Sequence, residues 1–172
     1  MRNLSKRVLR GMRRIESAID TMSSGHKKRG MGSGGRCPTG FVTLEGWSNC
    51  YLFSLFNTSW YEARDYCNAF DSEMVSLGSL KEHYVVTFLI KNNPAYKDIQ
   101  GWWTSGSFVA KTKQWMWISS VTREPFSFIK WAVNEPNKSS LQCVLLYGRD
   151  DHLWHDRLCS DRYNFVCEIP LN

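Results

Sequence analysis

Residues 143–168 read Cys143-Val144-Leu145-Leu146-Tyr147-Gly148-Arg149-Asp150-Asp151-His152-Leu153-Trp154-His155-Asp156-Arg157-Leu158-Cys159-Ser160-Asp161-Arg162-Tyr163-Asn164-Phe165-Val166-Cys167-Glu168. Short apolar runs here are separated by clusters of turn residues, the pattern of short strands rather than of a helix. Cys143–Tyr147, Leu153–Asp156 and Tyr163–Ile169 are the expected strands. Three cysteines punctuate them, and three more, Cys37, Cys50 and Cys67, lie upstream. None of the six forms a C-x-x-C pair, which argues against a zinc ribbon or a thioredoxin-like redox site. An even count in this setting points to three disulfides formed in an oxidising compartment, against the alternative of six buried thiols in a cytosolic protein.

Working outward, residues 37–142 supply the helices. Ser59-Trp60-Tyr61-Glu62 has the form of a capping box and opens a helix through Phe70, with Trp60, Ala63, Cys67 and Phe70 on one face. Ser79-Leu80-Lys81-Glu82 is a second such box, opening a helix to about Asn92 before Pro94. Early strands are expected between Phe41 and Phe56, a short one at Met74–Leu77, and others at Trp102–Thr104 and Gln114–Ile118. Ser119 to Leu141 is long, polar and irregular, relieved by Phe126, Phe128 and Trp131. A loop of that length is commonly functional. The fold class is therefore α+β, two helices with small antiparallel sheets and a long loop region.

The first 36 residues differ in texture. They hold ten Lys/Arg against Glu16 and Asp20, a net of +8, whereas residues 37–172 hold twelve against fourteen, a net of −2. All eight tryptophans lie in the second part. The basic balance thus belongs to a tail, which excludes a nucleic-acid domain with a basic core surface. Residues 1–23 are expected to be an amphipathic helix. Leu4, Val8, Met12, Ile15, Ile19 and Met22 fall within roughly an 80° wedge, opposite the arginines. The 4-3 spacing from Val8 is a short coiled-coil seam, so residues 3–23 are a candidate neck for a homo-oligomer or a segment that docks on a partner. Residues 24–36 are a Gly/Lys/Arg-rich linker, and residues 37–172 form the main domain. No run of about 18 apolar residues could span a membrane. Basic residues interrupt any signal-peptide core near Met1, although sequons at Asn3, Asn57 and Asn137 are compatible with secretion.

Cys37-Pro38-x-Gly40-Phe41, Cys50-Tyr51 and Trp60-x-x-Ala63-x-x-x-Cys67 resemble the opening of a long-form C-type lectin-like domain. The second half agrees: Trp131-Ala132-x-x-Glu135-Pro136-Asn137, Cys143, Trp154-His155-Asp156, Cys159 and Phe165-Val166-Cys167-Glu168. Trp102-Trp103-Thr104-Ser105-Gly106 and Trp115-x-Trp117 are most similar to single-domain invertebrate lectins of the perlucin type. The resemblance implies pairing of Cys67 with Cys167, Cys143 with Cys159, and Cys37 with Cys50. It also implies an extracellular protein that binds sugars and is not an enzyme. No Ser-His-Asp order, phosphate loop or paired-carboxylate spacing suggests otherwise.

In that family a sugar is held by Ca²⁺, which needs about six to eight oxygens around it. The resemblance assigns Glu135, Asn137 and Asp156 as ligands of the ion, with Asp156 giving both carboxylate and main-chain oxygen. A cis bond before Pro136 would turn the side chains on either side toward the same ion. Glu-Pro-Asn is the family's signature for mannose-like sugars. Two positions depart. The family's second Glu falls on Leu141, which has no side-chain oxygen, and its Asn falls on His155, a poor ligand for a hard cation. Gln142 is the nearest replacement for the lost oxygen. Calcium binding is therefore expected to be weak or absent. The alternative function is a structural or protein-interaction domain that binds neither calcium nor sugar. Asp150, Asp151, His152, His155 and Asp156 also invite a zinc reading, but a polar turn before a strand is the simpler account. A glycan on Asn137 would obstruct a sugar site there.

Overall fold

The computed structural model describes residues 36–137 and 142–171. The expected helix at 1–23, the linker and Asn3 lie outside them, as does Leu141. Elements follow in the order β1 (Asn49–Phe53), α1 (Trp60–Ala69), β2 (Glu73–Met74), α2 (Leu80–Asn92), β3 (Gly101–Val109), β4 (Gln114–Ile118), β5 (Arg123–Pro125), β6 (Gln142–Tyr147), β7 (Leu153–Leu158) and β8 (Asn164–Pro170). This is the α+β arrangement that the alternation of patterns predicts.

Both helices begin where the caps place them. The Glu62 amide donates to Ser59 Oγ at 3.3 Å, and the Ser59 amide donates back to Glu62 Oε2 at 3.1 Å. The Thr58 hydroxyl, followed by the Ser59 amide and the Ser59 hydroxyl, holds the Glu62 carboxyl down at about 2. At α2 the box is half made. The Glu82 amide reaches Ser79 Oγ at 3.2 Å, while the Glu82 carboxylate turns to the Ser79 hydroxyl. Trp60, Ala63 and Cys67 form the buried face of α1, as their spacing requires; Phe70, the C-cap, stays exposed.

The strands β1, β8, β3, β4 and β5 lie side by side, and β6 joins β3 to β7. β3 is the hub. Its first half runs parallel to β8 through Trp102 and Trp103, and its second half runs antiparallel to β4 from Gly106 to Val109. Alternation of side chains along a strand sends Trp102 and Trp103 to opposite faces. Each is fully buried, Trp102 with Tyr51, Val86, Leu146 and Trp154, Trp103 with Trp60, Met74, Leu145 and Phe165. A strand covered on both faces must be apolar at successive positions, which is why β6 reads Cys143-Val144-Leu145-Leu146.

Three disulfides tie the layers, Cys37–Cys50, Cys67–Cys167 and Cys143–Cys159, the pairs that the resemblance implies. The second clamps α1 onto β8.

Two strand boundaries differ from expectation. The ladder of β2 ends at Met74; beyond it Val75 keeps single bonds to Val166 O and from the Ser105 amide, both 2.9 Å, and the Ser76 amide turns to the Glu168 carboxylate at 2.8 Å. Inside the long polar stretch, Arg123–Pro125 pairs with β4. It is exposed at every position, so no apolar alternation marks it, and Pro125 suits an edge.

Candidate functional site

The segment that carries Glu135 is fixed by aromatic packing. Phe126 stacks on Trp117 at 4.1 Å between centroids, and Phe126, Phe128 and Trp131 each set an edge or face against Trp154. Two backbone bonds join this segment to β7: Trp154 N–H to Lys130 O and Ala132 N–H to Trp154 O, both 3.0 Å. Trp154 is completely buried and its indole N–H donates to His83 Nδ1 at 3.2 Å. Trp131 and Trp154 are thus packing residues that hold a loop to a strand. Beyond Ala132 the chain turns, with Glu135 N–H bonded to Ala132 O and Asn134 at φ 63°. The Glu135–Pro136 bond is cis.

Glu135, Asn137, His155 and Asp156, which are 18 to 21 residues apart in sequence across the gap, meet at this point. Asn137 Nδ2 donates to Glu135 Oε1 at 2.9 Å, and the Asn137 amide donates to Asp156 Oδ1 at 2.8 Å. The Asp156 amide points at Glu135 Oε2 at 3.4 Å. His155 Nδ1 lies 2.9 Å from Glu135 Oε1, and its Nε2 lies 2.9 Å from Asp150 Oδ2. The Glu135 side chain is only 7% exposed. Burial, followed by the adjacent Asp156, pushes its carboxyl above the ordinary value. Asn137 and Pro136 remain exposed, so one side of the cluster opens to solvent.

Arg157, which sequence reading passed over, completes the cluster. Its Nη1 donates to Asp156 O at 2.8 Å and reaches Glu135 Oε1 at 3.5 Å, while Nη2 lies 3.3 Å from His155 Nδ1. The guanidinium also sits over the Tyr147 ring, 5.5 Å from its centroid, and that ring packs against His155. One signal was present in sequence: Arg157 stands two residues beyond His155 on a strand, so both side chains share a face. Asp150 was noted in sequence as part of a polar turn and among the residues that invite a zinc reading.

A calcium ion fits this donor set poorly. Glu135 Oε1 already faces three nitrogens, and the Asp156 carbonyl is taken by a guanidinium. Among the described residues no three His, Cys, Asp or Glu side chains converge as a metal ion requires. Gln142 lies in β6, 2% exposed and opposite Leu158, which ties its backbone to a ladder. Asn57, like Asn137, is exposed as a sequon must be.

Comparison with known proteins places the fold in one group. The model of the C-type lectin domain matches residues 57–169. Lectin BRA-2 of Megabalanus rosa is 29% identical over 138 residues, 79% of this chain and 72% of that protein. Human C-type lectin domain family 4 member G is 30% identical over 138 residues, 77% of this chain but 42% of the relative. This chain therefore spans less than half the length of that human protein. The C-type lectin domain of murine dendritic cell inhibitory receptor 2, solved in complex with an N-glycan, superposes with a TM-score of 0.64 at 25% identity, covering 78% of this chain and 99% of that one. The family is one of lectins and not of enzymes. On a family match that takes in residues 57–169, well over half of its length, the chain belongs to the C-type lectin domain family.

Proposed function

We propose that this chain is an extracellular carbohydrate-binding module. It takes glycans with mannose-like vicinal hydroxyls at Glu135, Asn137 and Asp156, with little contribution from calcium. The observation that carries this reading is the convergence of those three side chains beside an exposed Asn137, held by the Trp154 aromatic anchor. Vicinal hydroxyls each donate and accept, and a cluster that alternates carboxylate acceptors with amide donors answers them in kind. The N-glycan in the murine relative's structure is consistent with sugar as the ligand class. An extracellular setting accords with three disulfides, since such bonds persist in oxidising compartments. Among the described residues no helix is long and apolar enough to cross a membrane.

The test is retention of the full chain on mannose resin and on a panel of other sugars. Glu135→Ala and Asp156→Ala should each abolish retention without lowering the melting temperature to the point of unfolding. Unchanged retention in both variants would move the sugar site elsewhere.

A second reading, a structural or protein-interaction domain, is favoured by Leu141 and His155, which replace two oxygen donors of the family pattern. A chain retained by no glycan would support it. In either case residues 3–23 would act as a neck or a partner-docking helix. Light scattering of the full chain tests the neck, and a monomer would exclude it.

A further inference from the structure

We infer that the guanidinium of Arg157 serves as a built-in cation at the proposed sugar site, in the role that relatives of this fold give to calcium, so that glycan binding here does not need a metal.

The inference rests on the carbohydrate reading above and on the direction of the Arg157 contacts. A cage of carboxylates and carbonyls is held open in water only if positive charge neutralises it. Here Glu135 is 7% exposed at its side chain and Asp156 is 1% exposed, so both need a compensating partner close by. Arg157 Nη1 brings its charge to 3.5 Å from Glu135 Oε1 and donates to the Asp156 main-chain carbonyl at 2.8 Å. Its side chain is 27% exposed, enclosed by the Tyr147 ring and by His155. A guanidinium in this place presents fixed, planar donors and carries its charge at any physiological pH. A divalent ion that bound the same oxygens would have to displace it and then sit beside it as a like charge. The remaining guanidinium N–H groups can donate to sugar hydroxyls, a role a calcium ion fills by direct coordination.

The experiment compares wild type, Arg157→Gln and Arg157→Lys as full chains, by calcium titration calorimetry and by retention on mannose resin in calcium and in EDTA. Wild type should show no saturable calcium binding up to about 1 mM, the weak end of extracellular calcium modules. Its retention should be the same in calcium and in EDTA. Arg157→Lys keeps the charge and should likewise show no saturable calcium binding, while its retention on mannose should fall because an ammonium lacks the planar fork of donors. Arg157→Gln should gain calcium affinity by about tenfold or more as the competing cation leaves, and any retention left to it should become EDTA-sensitive. Loss of wild-type retention in EDTA would overturn the inference, as would equal calcium affinity in wild type and Arg157→Gln. Should no form be retained on any sugar, the carbohydrate reading alone fails, and the calcium comparison still decides the role of Arg157. Should Arg157→Gln not fold, saturable calcium binding by wild type below about 1 mM overturns the inference by itself, and its absence in both wild type and Arg157→Lys, with wild-type retention insensitive to EDTA, supports it.

Discussion

His83 is the residue through which acid should loosen the ligand-side half of this domain. It is 3% exposed, and its Nδ1 accepts the indole N–H of Trp154, the ring on which the Glu135 segment is packed. Burial, aided by Lys130, Lys91 and His152, lowers its pKa from 6.5 to about 4. A group with a depressed folded-state pKa contributes stability that is present above its unfolded value and lost as pH falls toward the folded one. The window is therefore pH 6.5 down to 4. Between pH 7.5 and pH 5.0 the unfolded chain takes up this proton and the folded chain largely does not, which costs about 2 kcal/mol. His83→Gln removes the titration and keeps an acceptor for Trp154. Urea denaturation of both proteins at the two pH values measures the effect. Whatever the variant costs at pH 7.5, it should lose about 2 kcal/mol less than wild type on acidification. His152, also lowered to about 4 by burial, is present in both proteins and cancels. If the two proteins lose stability in parallel, His83 is not held neutral by its surroundings and the reasoning fails.

Glu168 works in the opposite sense. Its carboxyl is enclosed, although part of the residue reaches solvent, and burial pushes it up to about 7. The stability it contributes when protonated is complete below its unfolded value of 4.5 and is lost as pH rises through about 7. Glu168→Gln should therefore gain on wild type by up to roughly 3 kcal/mol between pH 4.5 and pH 8 in the same urea assay, less for its partial exposure. A methyl group at Gly106 would lie 2.7 Å from Val144 Cγ2 and 3.0 Å from Phe126 Cζ. Gly106→Ala should cost about 1–3 kcal/mol in thermal or urea unfolding, and a neutral result would show that β6 can shift. Cys67 and Cys167 close a loop with a sequence separation of 100. Replacing both with alanine should lower stability by up to about 5 kcal/mol, and an unchanged urea midpoint would refute the chain-entropy account.

Local chemistry made much of this legible in sequence. The helix starts at Ser59 and Ser79 are written in caps, which act over four residues and need no tertiary context. The double burial of β6 is written in its unbroken apolar run. Glu135, Asn137 and Asp156 were recognisable because their spacing to Trp131, Cys143 and Trp154 is that of a known family, not because their chemistry singles them out. What escaped was long-range and polar. Strand alternation puts Arg157 on the face of His155, but it does not show that the guanidinium reaches Glu135, 22 residues earlier. Glu73 accepts from the Ser120 amide at 3.0 Å, a contact between segments with no common pattern. Just past β2 the Glu168 side chain claims the Ser76 amide, a contact that only the assembled sheet reveals.

The central claim is that a sugar engages the face formed by Glu135, Asn137 and Asp156. The most direct measurement is an amide-resolved NMR titration of the full chain with methyl mannoside. The account predicts saturable shifts concentrated at Glu135, Asn137, His155, Asp156 and Arg157, absent in Asp156→Ala. Saturable shifts centred on another surface, or none at a sugar concentration that saturates resin retention, would contradict it.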